Sequence, residues 1–217
     1  MRENDLITIE NFLENKEEML DVKEEPFEKL MFFYKSALNQ LITQMNIIKD
    51  EFQIMYNYDL IDHIDTRIKE PKSIVKKMEK KKYDKTYLNL IDKINDIAGM
   101  RIVCTLKDDI FFIRDLIKQM PELHILKEKD YVTNPKPSGY SSYHIIVEVP
   151  VKLTQKTIYV KCEIQIRTLA MDFWASFEHK VKYKTEQDVG KKASKELVNC
   201  AKIINKFDDK MISLKNI

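Results

Sequence analysis

The sequence predicts an α+β domain in which strands and helices are both well marked, with a long amphipathic helix at each end. Residues 157–168 alternate apolar and polar side chains throughout, which is typical of a strand buried on one face. Residues 27–55 and 191–217 carry apolar side chains at steps of three and four, which is typical of amphipathic helices. We therefore expect strands and helices together in a single domain over residues 1–217.

The composition is that of a globular protein, with 44% hydrophobic and 33% charged residues in a chain of 217. The 37 basic residues nearly balance the 35 acidic ones, and the formal net charge is only +2. That balance excludes a bulk polybasic nucleic-acid binder, although a local cationic pocket is compatible with it. Since no apolar run approaches the roughly 18 residues of a membrane span, we expect no membrane partner.

The three cysteines lie far apart in the sequence, at Cys104, Cys162 and Cys200. No CxxC pair or close set of histidines and cysteines is present, which argues against a structural zinc site. Cys104 and Cys162 fall in apolar, strand-like runs. We expect them to be buried free thiols in a reducing cytoplasm.

Residues 1–22 are acidic and show only a weak helical pattern. From Pro26 onward the pattern sharpens, and steps of four and three continue for four heptads. The apolar positions of this stretch are Phe27, Met31, Tyr34, Leu38, Leu41, Met45, Ile48, Phe52 and Met55. Proline is tolerated in the first turn of a helix, so Pro26 is placed near the start. We expect this apolar seam to pack either on the domain or on a partner helix, and its regularity favours pairing with another helix.

A candidate phosphate-binding segment follows, with Arg67 and Lys69 on one side of an extended stretch. Pro71 then starts a helix whose opening turns carry Ser73 and Lys77. A helix N-terminus with a hydroxyl group and lysines is a natural site for phosphate. A lysine-rich helix exposed to solvent is the alternative interpretation.

Residues 84–95 are predicted to be helical, and the β-branched run up to Thr105 is predicted to be a strand. Asp96 precedes that strand, and Gly99 is expected in the bend that leads into it. Metal–phosphate enzymes often hold Mg²⁺ with such a carboxylate, but a capping or turn role for Asp96 is an equal alternative.

The next predicted helix covers residues 109–119, with Asp108 and Asp109 as caps and Pro121 at its end. A short strand over 123–127 follows it. Because capping accounts for both carboxylates, we do not count them as metal ligands.

Residues 129–144 read KDYVTNPKPSGYSSYH and are predicted to form a turn between two strands. The prolines fix the backbone φ angle, and Gly139 permits a positive φ that a β-carbon would disfavour. The side chains suited to a phosphorylated nucleotide are Lys129 and Lys136 for phosphates, Tyr140 for a base, and His144 for an anionic oxygen. A basic surface loop is the alternative.

The strands over 144–149 and 157–168 follow the turn. On the longer strand, Glu163, Gln165 and Arg167 share one face, and the apolar residues share the other. The polar face suits a site for a metal, a hydroxyl group and a phosphate. An exposed strand with alternating charges is the simpler alternative.

Two helices complete the chain. Residues 169–183 place Trp174, Phe177 and Val181 at the spacing of a core-facing helix. Residues 191–217 have a lysine-rich outer face and a set of apolar positions, which are Leu197, Ala201, Ile204, Phe207, Met211 and Leu214.

Five motifs occur together in this chain: RIKEPKSIVKK, DIAGMR, KDYVTNPKPSGYSSYH, EIQIRT and AMDFWASFEH. In order and spacing they resemble the synthetase domain of the RelA/SpoT alarmone enzymes over residues 60–185. The resemblance implies a stand-alone small alarmone synthetase without a hydrolase domain. It implies a nucleotidyltransferase-like mixed sheet of about five strands flanked by helices. The catalytic portion would cover residues 56–185, with helical extensions over 1–55 and 186–217.

The resemblance further implies transfer of pyrophosphate from ATP to the 3′-hydroxyl of GTP or GDP, giving (p)ppGpp and AMP. ATP would be bound by Arg67, Lys69, Ser73, Lys77 and Arg101, with the two arginines on either side of adenine. Mg²⁺ would be held by Asp96 and Glu163, and Glu163 could instead accept the proton of the attacking hydroxyl. GTP or GDP would be bound by Lys129, Lys136, Tyr140, His144, Gln165, Arg167, Asp172 and His179. Ser138 replaces the asparagine often found before the glycine of the turn.

Three other functions fit parts of the pattern: a guanine-nucleotide sensor without activity, a nucleotidyltransferase of the same fold, and an RNA-binding protein that uses the lysine-rich helices. Both acidic site residues are present, which argues against the sensor. Small synthetases of the resembled family commonly form homotetramers. Residues 27–55 and 195–214 are therefore predicted to make contacts between subunits, in a cytoplasmic enzyme.

Overall fold

The computed structural model describes residues 6–9, 17–184 and 190–215. The strands within these ranges are β1 (Leu6–Thr8), β2 (His63–Ile68), β3 (Ala98–Cys104), β4 (His124–Asp130), β5 (Tyr143–Lys152) and β6 (Thr157–Thr168). The helices are α1 (Glu25–Tyr56), α2 (Pro71–Lys81), α3 (Tyr87–Lys93), α4 (Lys107–Gln119), α5 (Leu169–Lys184) and α6 (Lys191–Lys215). None of these helices is long and apolar enough to cross a membrane. The predicted α+β class is confirmed.

Five strands form a mixed sheet in the order β2-β3-β6-β5-β4. The β3–β6 pair is parallel, and the other neighbouring pairs on this path are antiparallel. β1 is a short extra strand that runs parallel to the first residues of β6. The predicted mixed sheet with flanking helices is confirmed, with β1 as an addition.

The weak pattern over residues 1–22 indicated a helix, and this is wrong at Leu6–Thr8, which form strand β1. β3 pairs with the later part of β6, from Cys162 onward, so it leaves the edge of the first β6 residues uncovered. Such an edge offers backbone hydrogen-bonding groups to an extended segment, which outweighs a weak local preference for helix. Residues 10–16 lie outside the described ranges.

Helix α1 covers one face of the sheet and contacts β2, β3, β5 and β6. It starts one residue before Pro26, as the tolerance for proline in a first turn predicts. Its buried positions are Phe27, Leu30, Phe33, Tyr34, Ala37, Leu38, Leu41 and Met45. The regular seam thus packs on the sheet of its own domain, because the apolar face of that sheet has to be covered. The last turn differs, since Ile54, Met55 and Tyr56 are all exposed.

Strand β6 shows why the two faces of the sheet differ. It covers the predicted residues from Thr157 to Thr168. Its buried apolar positions are Ile158, Val160, Cys162, Ile164 and Ile166. Glu163 and Gln165, which alternate with them, are partly exposed. One face therefore joins the core under α1, and the other face is polar and open to a ligand.

Four other elements are confirmed with shifted ends. α3 begins after Thr86, whose side chain accepts a hydrogen bond from the backbone of Asn89 at 3.2 Å. α4 begins at Lys107, and Asp109 in its first turn accepts from the backbone N–H of Leu106 at 3.2 Å. β4 and β5 both extend beyond their predicted ends, because their backbone pairing continues past the apolar pattern.

Some packing expectations are wrong. Gly99 lies inside β3 rather than in a bend, and a β-carbon there would stand 3.6 Å from the Arg67 side chain on β2. Phe177 does not join the core, since it is 50% exposed. Phe207 and Leu214 of α6 are also half exposed, because α6 buries only the side that meets α4 and α5.

The expectation for the two strand cysteines is confirmed, because Cys104 and Cys162 are buried free thiols. Burial raises the pKa of both thiols, so they are protonated and unreactive at neutral pH. Cys200 on α6 is exposed.

Polar contacts fasten helix α6 to the rest of the domain. Trp174 of α5 donates from Nε1 to the backbone oxygen of Leu197 at 2.9 Å. Thr168, at the end of β6, donates from Oγ1 to Oδ2 of Asp208 at 2.8 Å, and both side chains are buried. Lys107, the first residue of α4, donates to two side chains of α6. α6 is therefore tied to α4, α5 and β6 together.

The buried carboxyl group of Asp208 gives a test of this attachment. Burial raises the pKa of Asp208, so the folded state disfavours its ionised form. An acid with a raised pKa stabilises the fold below its ordinary pKa of 3.8 and loses that contribution as the pH rises. Asp208→Asn keeps an acceptor for Thr168 and cannot ionise, so we expect a higher free energy of unfolding at neutral pH. In urea titrations this gain should vanish in acid, and a gain of equal size at both pH values would contradict the assignment.

Candidate functional site

The candidate site is built on the polar face of the sheet. The strand register places Arg67, Gly99 and Glu163 side by side across β2, β3 and β6. The adjacent row runs across all five strands and consists of Asp65, Arg101, Gln165, His144 and Lys129. Side chains that face one another across a sheet interact directly. Charged groups distant in sequence therefore meet on this face.

Two neighbouring cavities open here. The carboxylate cavity, of about 140 Å³, is lined by Lys77, Lys93, Asn95, Asp96, Lys127, Lys129, His144, Ile146 and Glu163. The arginine cavity, of about 510 Å³, is lined by Arg67, Arg101, Tyr140, Gln165, Arg167, Ala175, Ser176, Glu178, His179 and Lys180. Their walls are joined by hydrogen bonds between Gln165 and Glu163 and between Tyr140 and His144. A larger cavity, of about 650 Å³, lies beside α1 and contains none of the predicted site residues.

Asp96 lies in the turn between α3 and β3 and is held by two lysines. Lys69 donates to its Oδ2 at 2.7 Å, and Lys77 donates to its Oδ1 at 2.8 Å. Lys69 reaches it because the Lys69 backbone N–H bonds to the oxygen of Ile97, the next residue after Asp96, at 2.8 Å. Burial works to raise the pKa of Asp96, but the two lysines outweigh burial and hold the pKa below its usual range. The carboxylate is therefore ionised and bound by two cations.

Glu163 projects from β6 and is hydrogen-bonded at both carboxylate oxygens. Nδ1 of His144 lies 3.2 Å from Oε1, and Nε2 of Gln165 donates to Oε2 at 2.8 Å. Burial works to raise the pKa of Glu163, and the charge of Asp96 acts in the same direction. His144 and Gln165 outweigh both effects and keep the pKa below its usual range. The two carboxylates thus face one small cavity and interact electrostatically.

Among the described residues that line the carboxylate cavity, Asp96 and Glu163 are the two carboxylates, and together they could hold a metal ion there. In the part of the chain that the structure describes, no three or more His, Cys, Asp or Glu side chains form a metal-binding group. Mg²⁺ is usually bound by one or two carboxylates together with substrate phosphates, whereas structural zinc takes four protein ligands. Asp96 and Glu163 fit the first pattern.

Next to the arginine cavity, Asp172 of α5 connects two arginines from different strands. Its Oδ1 lies 3.2 Å from Nη1 of Arg101 on β3 and 3.1 Å from Nη1 of Arg167 on β6. Arg167 is buried, while Nε of Arg101 is buried without a hydrogen-bond partner among the residues described. Arg67 of β2 lies over Gly99. Three guanidinium groups therefore surround one cavity.

The loop between β4 and β5, residues 131–142, carries Tyr140 to the boundary between the cavities. Gly139 has a φ of +91°, as the turn chemistry predicts, and its backbone N–H bonds to the oxygen of Lys136 at 2.8 Å. Nζ of Lys136 lies 4.6 Å from the centroid of the Tyr140 ring, within the range of a cation–π contact. The turn thus presents an aromatic ring and a cation together.

A closed ring of hydrogen bonds joins the two cavities through Arg167, Tyr140, His144, Glu163 and Gln165. Ionised Glu163 can only accept, so Nδ1 of His144 donates to it. In neutral His144, Nε2 is then an acceptor, and the hydroxyl of Tyr140 donates to it across 2.8 Å. The ring fixes the aromatic side chain of the loop relative to the carboxylate of β6.

The structure brings most of the residues predicted from the sequence together. Those that line a cavity are Arg67, Lys77, Asp96, Arg101, Lys129, Tyr140, His144, Glu163, Gln165, Arg167 and His179. Lys69 and Asp172 reach these residues through ion pairs, and Lys136 lies over Tyr140. Ser73 is exposed in the first turn of α2 and lines neither cavity.

Sequence pattern alone does not identify Lys93, Asn95 and Lys127, which also line the carboxylate cavity. Lys127 lies two residues before Lys129 on β4, and this strand spacing is a usable signal. Asn95 is adjacent to Asp96, which gives a weaker one. Lys93 carries no local signal, because only the packing of α3 brings it to the cavity.

Comparison with known proteins identifies this architecture. The family profile described as "Region found in RelA / SpoT proteins" matches residues 66–188. GTP pyrophosphokinase YwaC of Bacillus subtilis is 44% identical over 191 residues, which are 88% of this chain and 91% of YwaC. The crystal structure of small alarmone synthetase 2 from Bacillus subtilis matches with a TM-score of 0.80 at 43% identity, over 89% of this chain and 99% of that chain. Small alarmone synthetase 1 from Bacillus subtilis, bound to its product pppGpp, matches with a TM-score of 0.82 at 29% identity, over 89% and 98%.

The matched region contains every residue that lines the carboxylate and arginine cavities. It covers more than half of the chain, and the likeness to YwaC extends over most of both sequences. The chain therefore belongs to the RelA/SpoT family.

Proposed function

We propose that this protein is a GTP pyrophosphokinase that transfers pyrophosphate from ATP to the 3′-hydroxyl of GTP or GDP. The products are (p)ppGpp and AMP, and the activity serves stringent response signalling. The observation that carries the proposal is the pair of joined cavities, rich in arginine and lysine, around two carboxylates. Family membership and the likeness to YwaC support it.

The charge of the two cavities suits a pair of nucleotides. Two nucleotides held side by side repel each other through their phosphates, and the repulsion grows where water is excluded. Fixed cations are needed to offset it, and the cations around the two cavities include Arg67, Lys69, Lys77, Lys93, Arg101, Lys127, Lys129 and Arg167. Transfer of a phosphoryl-type group requires the protein mainly to align the two substrates and to stabilise the charge of the group in transfer, and such a site does both.

ATP is assigned to the side of the site formed by β2, β3 and α2. Planar guanidinium groups stack well on a base, so Arg67 and Arg101 would enclose adenine. Lys69 and Lys77 would bind the phosphates. Both already hold a carboxylate at hydrogen-bonding distance, and a more highly charged phosphate would compete for them. Ser73, exposed in the first turn of α2, would add a hydroxyl group to the phosphates.

The guanine nucleotide is assigned to the side formed by the 131–142 loop, β4 and β5. Tyr140 would stack on guanine, which requires the base to displace Lys136 from the aromatic face. Lys129, Lys136 and His144 would contact the phosphates. The wall of this subsite would be completed by Gln165, Arg167, Asp172 and His179.

Mg²⁺ would be held by Asp96 and Glu163, whose two carboxylates fit its usual donor set. When bound, the ion would neutralise charge on the pyrophosphate group in transfer. Glu163 has a lowered pKa and is ionised, so it can also accept the proton of the 3′-hydroxyl. Gln165 and His144 hold its carboxylate in place for either role.

The test is to incubate the pure protein with γ-labelled ATP, Mg²⁺ and GDP or GTP, and to identify the labelled product. Transfer of pyrophosphate gives AMP and a guanine nucleotide that carries the label on its 3′ side. Nucleotidyl transfer would release labelled pyrophosphate instead, and a non-catalytic sensor would give no AMP. Either of these results would overturn the proposal.

We also propose that the enzyme assembles as a homotetramer in the cytoplasm, where ATP and guanine nucleotides are available. The exposed apolar side chains at the end of α1 and on the outer face of α6 support contacts through residues 27–55 and 195–214. The catalytic portion would lie within residues 56–185. Light scattering should give a mass near four times the 25.9 kDa chain, and a monomer mass would end the proposal.

A further inference from the structure

Helix α6 lies beyond the family-matched residues 66–188, yet it touches the loop that carries Tyr140. A β-carbon placed on Gly139 would stand 2.5 Å from Cβ of Ala201, far closer than the 3.5–4.0 Å at which carbon atoms pack. It would also stand 3.5 Å from Cα of Val198, one turn earlier on the same helix. The backbone of the loop is therefore pressed directly against the surface of α6.

The position of Gly139 is coupled to that of Tyr140 through backbone hydrogen bonds within the loop. Gly139 immediately precedes Tyr140, and its N–H bonds to the oxygen of Lys136 at 2.8 Å. The N–H of Lys136 in turn bonds to the oxygen of Tyr140 at 3.0 Å. A shift of Gly139 would therefore move Lys136 and Tyr140 with it.

The two ends of this chain of contacts are anchored to the same strand. The hydroxyl of Tyr140 accepts from Arg167 at 2.6 Å. The next residue of β6, Thr168, donates to buried Asp208 of α6 at 2.8 Å. The loop is thus held between β6 on one side and a helix fixed to β6 on the other.

The junction has almost no room for a larger side chain. A cavity of about 20 Å³ adjoins it, lined in part by Gly139, Ser141 and Ala201. That volume holds about one water molecule. Three additional carbon atoms at position 201 would therefore push the loop away from α6.

We propose that Ala201 is a positioning residue for the acceptor nucleotide, although it lies outside both cavities. By its contact with Gly139 it sets the place of the 131–142 loop, and so of Tyr140 relative to the carboxylate cavity. The inference rests on the proposed function in one respect, the assignment of guanine to Tyr140.

Ala201→Leu tests this directly. We expect the Kd of GDP, measured by calorimetry, to rise about tenfold, because an overpacked contact of this kind costs on the order of one power of ten in an equilibrium constant. The Kd of the ATP analogue AMPCPP should change much less, since the side chains assigned to ATP lie on or beside β2, β3 and α2 and not on the loop. Lys202→Leu is the matched control, with the same new side chain at an exposed neighbouring position, and should bind both as wild type does. Equal losses for GDP and AMPCPP would show a general structural defect and overturn the proposal.

A second measurement separates the contact from the φ angle of Gly139. Gly139→Ala introduces both a clash with Ala201 and strain at a φ of +91°. Ala201→Gly removes the clash alone, so the double variant should regain part of the GDP affinity that Gly139→Ala loses. No recovery would mean that φ alone explains the glycine, and would overturn the role of the contact. Wild-type product formation from ATP and GDP, assayed in parallel, tests the proposed function separately, because GDP affinity does not require turnover.

Discussion

Glu163→Gln is expected to reduce pyrophosphate transfer by about a thousandfold while the protein stays folded. The substitution keeps the length and shape of the side chain but removes its charge. Glutamine can neither accept the proton of the 3′-hydroxyl nor offer a charged ligand to Mg²⁺. Since GDP is assigned to side chains other than Glu163, the loss should fall on kcat, with KM for GDP changed much less.

The cost of Glu163→Gln to stability should be small and is separately measurable. The new amide keeps an acceptor for His144 but turns its NH₂ group toward Gln165, which now donates to the carboxylate. One weakened hydrogen bond costs about 1 kcal/mol in the free energy of unfolding. Glu148→Gln is the matched control, because Glu148 lies on β5 of the same sheet and lines neither cavity. Turnover near wild type in Glu163→Gln would show that the site is wrongly assigned.

Asp96→Asn is expected to lower turnover at least about a hundredfold, for a different reason. Stabilisation of phosphoryl charge by a bound metal amounts to several kcal/mol, and an uncharged amide would hold the ion weakly. The substitution also frees Lys69 and Lys77, which now pair with the carboxylate at 2.7 and 2.8 Å. Two freed cations can turn to the phosphates of ATP without first breaking an ion pair.

If Lys69 and Lys77 exchange the Asp96 carboxylate for phosphate, the binding of AMPCPP should depend on the metal in an unusual way. Without metal, AMPCPP should bind Asp96→Asn at least as tightly as it binds the wild type. With Mg²⁺, the wild type should gain affinity and the variant should not. Asp84→Asn, at an exposed position before α3 that lines neither cavity, is the control and should follow the wild type in both conditions. Loss of AMPCPP affinity in the absence of metal would contradict the competition between carboxylate and phosphate for the two lysines.

The regular elements were largely predictable because their signals are local. The alternation over residues 157–168 gives β6, and the steps of three and four after Pro26 give α1. Both patterns arise from the geometry of a single element, so a window of sequence contains them. β1 was not predictable in this way, because three residues are too few to show a periodic pattern of apolar side chains. They form a strand only because β6 leaves an unpaired edge beside them.

The predicted site residues came from five motifs taken together, whereas each motif alone left a simpler alternative open. Asp96 could have been a cap, and the 129–144 stretch could have been a surface loop. In the structure, two lysines hold Asp96 at the wall of the carboxylate cavity, and the register sets His144 and Arg101 beside Gln165 on one face. The bridge of Asp172 between Arg101 and Arg167 has no sequence signal, since it joins three elements.

By itself, the sequence determined most of the strands and helices, the apolar faces of β6 and α1, and which family the motifs resemble. Only the tertiary structure decided that two lysines hold Asp96, that a ring of hydrogen bonds ties Tyr140 to Glu163, and that α6 presses on Gly139. The physical reason is that side-chain patterns follow from the repeat of one element. Contacts between elements depend instead on sheet order and register, which nonlocal packing sets.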